Sequence, residues 1–310
     1  MLSPWLNMDW IGTLLSFGFV TFMLIALQWG GNERPWSDPV VIVFLVLSGV
    51  LMVAFVAWEH RLGSRALVPI DMMLRKNVFA SSFSALFGHL CFVIFTYYLP
   101  LLYQVRGHSA TRSGVDIIPF MISGVVSSMV AGGVASETGW AWPFLVFAPL
   151  LAAVGFGLFF EVSQNTSSSH IAGLQILVGI GLGCVVQLPI VVAQAEYVNE
   201  EHLVPQVTSL ATFIQIIGSS AGLAIAGAVF AASLESRLDT LPSLSPSQIG
   251  AVRSSVEAIF SLPDPQKQEA SGAYVAAIQR VWLIGVPSAA LAAMVALIIT
   301  RKRIRKVEGH

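Results

Sequence analysis

Four sets of hydrogen-bonding side chains recur at helical spacing within otherwise apolar sequence. Ser82, His89, Thr96 and Tyr103 repeat every seven residues, and Thr208, Thr212, Gln215 and Ser219 follow an i, i+4, i+7, i+11 pattern. Gln187 and Gln194 share one helical face, as do Asp116, Ser123 and Ser127. Side chains at these spacings line up along one side of a helix. Polar groups avoid lipid, so such faces turn toward another helix or a water-filled cavity. Both uses stay open. Ser and Thr suit bonds between helices, whereas the bulkier His89, Gln187 and Gln215 are harder to satisfy in a dry seam and would reach a solute. Tyr97 and Tyr103 offer aromatic surface with a hydroxyl. The candidate substrate-cavity residues are therefore Gln187, Gln215, His89, Tyr97, Tyr103, Thr96 and Thr212, a set suited to weakly polar organic solutes.

Catalysis finds little support in the same residues. No HExxH, no G-x-S-x-G and no aspartate pair falls within an apolar run, and His89 is the only imidazole at that depth. Asp116, at the mouth of a run, is the nearest acid. No catalytic residue, metal ligand or bound cofactor is expected, and the chain reads as a non-enzyme. Cys91 and Cys184 both lie in apolar runs, where a thiol acts as a small apolar side chain rather than a disulfide or metal partner. Gly179, Gly181 and Gly183 sit inside an apolar run with no preceding strand, so they serve helix packing and not a dinucleotide.

The elements that must position these residues are long helices in lipid. Eight stretches lack any Lys, Arg, Asp or Glu: 10–30, 39–58, 77–105, 117–136, 138–160, 171–195, 203–234 and 281–300. A helix needs about 20 apolar residues to cross the hydrocarbon core, and every stretch is that long. Two, of 29 and 32 residues, must tilt, kink or project. Charged residues make up 11% of the chain and mean hydropathy is +0.78, against about 25% charged in soluble domains. The fold class is an all-α polytopic membrane protein, and the net charge of −1 points to no nucleic acid. The first run is too long, and its flank too poor in basic residues, for a cleaved signal peptide.

Charge also orients the chain. If the spans alternate, the 59–76 linker and the 301–310 tail share one side and carry nine Lys and Arg: Arg61, Arg65, Arg75 and Lys76, then Arg301, Lys302, Arg303, Arg305 and Lys306. The short loops opposite hold only Arg34, Arg106 and Arg112. The basic excess marks the cytoplasmic side, so both termini are expected there. The sequon Asn165-Thr166-Ser167 then faces outward, a glycosylation acceptor in position though its short loop leaves it unused as an alternative. By these boundaries the chain divides into a transmembrane hairpin (1–58), a cytoplasmic basic linker (59–76), a six-helix unit (77–300) with an exoplasmic loop at 235–280, and a basic tail (301–310).

Local signals mark the joints. Gly31-Asn32 and Ser37-Asp38-Pro39 provide turn chemistry for the hairpin. Ser245-Pro246-Ser247-Gln248 has capping-box spacing, and behind it Ile249, Val252, Val256, Ile259 and Phe260 suggest a short amphipathic helix on the membrane surface. Asp264-Pro265 opens a helix expected to run directly into the last span. Gly124, Ser128 and Gly132, and likewise Gly218, Gly222 and Ala226, recur every four residues as close helix contacts in lipid require.

One run of residues is familiar. Tyr97-Tyr98-Leu99-Pro100-Leu101-Leu102-Tyr103-Gln104, followed by Gly107, by Ser113-Gly114-Val115-Asp116 and by Pro119, resembles the fungal fourteen-span drug:proton antiporters of the major facilitator superfamily, the toxin efflux pumps. There it joins the ninth and tenth spans. Leu27-Gln28-Trp29-Gly30-Gly31 with Trp36 resembles that family's turn between spans seven and eight. Gly179–Gln187 with Pro189, then Gln215 to Gly218, is similar to its twelfth and thirteenth spans. The resemblance covers family spans seven to fourteen: two intervening spans and the six-helix C-terminal half. It implies efflux of a hydrophobic secondary metabolite, toxin or drug by proton antiport at the cell membrane or the vacuolar membrane. A proton gradient would be the energy source, and an N-terminal half a needed partner. A non-transporting remnant or scaffold half and proton-coupled nutrient uptake are the alternatives. The 133–142 loop departs from the family's basic pattern, holding only Glu137.

Overall fold

A computed structural model describes residues 9–31, 34–63 and 70–300. These form α1 (Trp10–Trp29), α2 (Pro39–Leu62), α3 (Ile70–Leu74), α4 (Lys76–Val105), α5 (Ala110–Asp116), α6 (Ile118–Thr138), α7 (Trp142–Phe159), α8 (Ser168–Ala195), α9 (Val204–Leu238), α10 (Pro246–Ser254) and α11 (Asp264–Ala296). No strand forms among the described residues, where only an isolated bridge pairs Gly30 with Arg34. Among the described residues, eight helical segments, one of them α5 together with α6, are long and apolar enough to cross a membrane. The protein is therefore an all-α, multi-pass membrane protein.

Glycine sets how closely the helices approach. A methyl group on Gly183 of α8 would lie 2.2 Å from the Gly124 carbonyl oxygen of α6, and one on Gly218 of α9 equally close to the Leu86 carbonyl oxygen of α4. Only a missing Cβ permits backbones to meet at this distance, and in lipid that proximity supplies the dispersion energy of association. Gly181 likewise seats against Ala148 and Ala152 of α7, and Gly222 against Leu90. Gly132 breaks the stripe, since its surroundings are open.

Phe95 of α4 is the aromatic hub. Its ring centroid lies 4.7 Å from Phe120, 5.6 Å from Phe156, 4.9 Å from Phe159 and 5.3 Å from Trp282, which joins α4 to α6, α7 and α11. The α1–α2 pair is held by the Ser48 hydroxyl donating 2.9 Å to the Phe19 carbonyl, and Phe19 meets Phe213 of α9 edge-on. At one end of the bundle Arg75 stacks 4.1 Å over Tyr197 and pairs with Glu200 at 3.1 Å, while Asn77 accepts from Thr300 and donates to Glu196.

Two sequence expectations change in detail. The fourth span begins with a separate turn of helix, because Ile117 interrupts α5 and α6. The apolar stretch after the Ser245–Gln248 capping box, which forms with both reciprocal bonds, is not one surface helix. Ser255 takes an extended conformation that ends α10, a 3₁₀ segment Val256–Ser261 follows, and Val252 and Ile259 are buried in the main core. Its apolar side is thus turned onto the protein, with the Tyr274 hydroxyl donating 2.6 Å to the Val252 carbonyl. The helix expected to open at Asp264 and run directly into the last span forms as α11, continuous from Asp264 to Ala296. Residues 1–8, Asn32 of the expected hairpin turn with residue 33, the basic linker's 64–69 and the tail 301–310 lie outside the described residues.

Candidate solute sites

The candidate residues divide among three environments. Gln187 is exposed and lines a cavity of about 330 Å³ between α4, α6 and α8, together with Phe92, Met121, Ser128 and Val186. His89, one turn before Phe92, is half-buried with Nδ1 3.1 Å from the Ala85 carbonyl. The ridge of small residues opens this cavity, because Gly124, Gly179 and Gly183 fill almost none of it.

Tyr97 and Thr96 belong elsewhere. They line a second cavity, of about 750 Å³, where α4 and α9 meet α10 and the end of α1. Tyr97 is 58% exposed, and its ring lies 5.3 Å from that of Tyr98. Thr96 shows almost no oxygen surface, and its hydroxyl has no partner among the described residues. Pro100, four residues on, lacks the N–H that would bond the Thr96 carbonyl.

Tyr103 and Gln215 are drawn into seams between helices. Gln215 is buried and donates 3.3 Å to the Val186 carbonyl of α8. Tyr103 is buried as well, its hydroxyl accepting from Gln175 Nε2 at 2.7 Å. Gln175 is the residue the sequence reading missed. It is wholly buried, its oxygen accepts from the Phe120 N–H at 3.3 Å, and its nitrogen also donates to the Asp116 carbonyl at 3.0 Å. One amide therefore ties α4, α5, α6 and α8. The available signal was a lone Gln in the first third of a span, a bulky polar group of the kind singled out at Gln187 and Gln215.

Other members of the polar stripes also bond between helices: Gln194 donates to Thr208, and Ser127 to the Ile180 carbonyl. Thr212 is half-buried on α9. Asp116 caps the network, paired with His108 at 2.6 Å and Arg112 at 3.1 Å. Asn165 is exposed in the turn before α8. No group of three or more His, Cys, Asp or Glu able to hold a metal ion occurs among the described residues.

Eight apolar helical segments, glycine-mediated contacts between them, a proline inside α4 and a solute-sized cavity meet a direct match in comparisons with known proteins. The model of the Major Facilitator Superfamily matches residues 1–223. The chain belongs to this superfamily. The MFS-type transporter opaD of Aspergillus ustus is 33% identical over 310 residues, which is 99% of this chain and 52% of that protein. The MFS acetylaranotin efflux transporter ataA of Aspergillus terreus is 36% identical over 249 residues, 79% of this chain and 55% of that one. The MFS-type transporter phomT of Diaporthe leptostromiformis is 38% identical over 227 residues, 73% and 38% respectively. The chain spans about half the length of the curated relatives it matches. The resemblance of 97–119 to fungal members of the superfamily is thereby supported by relatives named as efflux transporters.

Proposed function

We propose that the 310 residues form the solute-handling portion of a fungal efflux transporter, moving a hydrophobic secondary metabolite outward in exchange for protons. The observation that carries this reading is the Gln187 cavity. It places one uncommitted amide among apolar side chains on a floor of glycine, the composition expected of a site for weakly polar organic solutes. The relatives named as efflux pumps agree with the direction of transport.

Alternating access in such folds rocks one six-helix bundle against another around a midplane site. Among the described residues α4 to α11 supply one such bundle. We therefore assign transport to these residues acting with a second bundle, with both termini cytoplasmic and Asn165 outside, available for glycosylation. Proton antiport is tested in vesicles holding a longer transporter that includes these residues. An imposed pH gradient is expected to drive accumulation of a neutral hydrophobic dye, and Gln187→Ala to weaken apparent affinity at unchanged protein level. Gradient-independent movement would contradict the antiport assignment.

A further inference from the structure

We propose that the 750 Å³ cavity beneath α10 is a second binding site, separate from the Gln187 cavity, for a neutral ring compound carrying a hydroxyl, carbonyl or amide group. It rests on the reading of these residues as part of an efflux transporter. Its walls are the C-terminal half of α4, the middle of α9 and the extended break after α10, and Gln28 brings the end of α1 to its rim. The hairpin and the six-helix bundle thus both contribute.

Three observations select the ligand class. The first is an aromatic row. Tyr97 and Tyr98 lie 5.3 Å apart, Tyr98 and Phe230 5.5 Å, and Phe230 and Tyr274 5.6 Å; Tyr98 and Tyr274 are buried, so a flat partner meets the exposed Tyr97 and half-buried Phe230 rings, which those two back. The second is uncommitted hydrogen-bonding capacity. Tyr97 and Gln104, seven residues apart on one face of α4, make no side-chain hydrogen bond to other described residues, and both can donate and accept. The third is charge. Arg253 is the single charged residue among those lining the cavity, and its guanidinium is paired with Glu235 at 2.5 Å. A neutralised cation leaves nothing to favour an anion, and an added cation would meet Arg253. The wall is also held in place, since Val252 is buried and tied to Tyr274.

Photolabelling of the full chain in lipid nanodiscs tests the site, using a trifluoromethyl phenyl diazirine that carries a para hydroxymethyl group as probe. Its methyl analogue lacks the polar group, and its carboxylate analogue is an anion. Adducts mapped by mass spectrometry are expected on residues 97–104, 223–230 and 253–256, with both analogues labelling these residues about tenfold less, the change that follows from losing one or two net hydrogen bonds. The double variant Tyr97→Phe/Gln104→Leu keeps side-chain size and is expected to lower labelling by the hydroxymethyl probe to the level of the methyl analogue. Tyr97→Phe alone, which removes only an exposed hydroxyl, guards against a folding defect. Equal labelling by all three probes, or adducts spread over the lipid-facing side of α2, would overturn the proposal. Labelling requires no transport. Specific adducts on these residues in a longer transporter that includes them but fails to export would therefore leave this site standing and remove the efflux reading, whereas export by that longer protein without adducts would remove this site alone.

Discussion

Replacing Gly183 with alanine adds one methyl group where α8 meets the α6 backbone. The new Cβ would stand 2.2 Å from the Gly124 carbonyl oxygen and 2.8 Å from its Cα, whereas ordinary contact begins at 3.4 Å, so relief of the oxygen contact needs about 1.2 Å of separation. No side-chain rotation can provide it, because the obstructing atoms are backbone. Overpacking of this kind costs roughly 1–3 kcal/mol, set against a gain of up to about 1 kcal/mol from alanine's better helix propensity. At Gly132, where a Cβ meets nothing within 4 Å, only the gain remains. The two variants should thus differ by about 1–3 kcal/mol, which at ~2–4 °C per kcal/mol is a separation of several degrees in melting temperature. Thermal unfolding followed by fluorescence-detected gel filtration in one detergent would measure it. Melting of both variants within a degree of each other would refute the claim that backbone contact between α6 and α8 is set by the absent side chain.

Gln175→Leu is expected to cost about 2–4 kcal/mol, because the Phe120 N–H, the Tyr103 hydroxyl and the Asp116 carbonyl all lose a partner. Tyr103→Phe should cost nearer 1 kcal/mol in the same melting assay. Ser245→Ala removes the capping box and should raise amide exchange across 246–254, corresponding to about 1 kcal/mol, with little change in global melting. The Tyr197 phenol is held above the ordinary tyrosine range by burial, while Arg75 beside it pulls the other way. Its contribution to stability should be intact below that range and fade as pH rises through the folded value. A phenolate difference titration against Tyr197→Phe should find the midpoint raised, and Arg75→Gln should raise it further. For orientation, cysteine introduced at Asn165 in intact cells should react with an impermeant reagent, and cysteine at Arg301 should not.

Much of the architecture was legible because lipid makes it so. A span must be long and uncharged, so the eight runs announced themselves, and Ser245 with Gln248 named a helix start that formed as spaced. Stripes such as Gly218 and Gly222 were legible for the same reason: close approach in lipid requires small residues, and both meet α4. Side-chain partnering was not legible. Gln215 and Gln187 look alike in sequence, yet one is absorbed by the Val186 carbonyl and the other lines a cavity. The difference depends on the rotation of α8 against α9, which heptad spacing leaves open by a fraction of a turn. Ser255 misled for a related reason. Apolar residues at helical spacing continue through it, and only its extended backbone shows that the stretch folds down onto Tyr274.

The central claim is that these residues move a solute only as one of two rocking bundles. Purified 310-residue chain and the same residues joined to a six-helix partner bundle should be placed in liposomes side by side, each given an imposed pH gradient and a neutral hydrophobic dye. The account predicts gradient-driven dye movement with the joined protein and none above the protein-free rate with the 310 residues alone. Proton-dependent transport by the 310 residues without a partner bundle would contradict it.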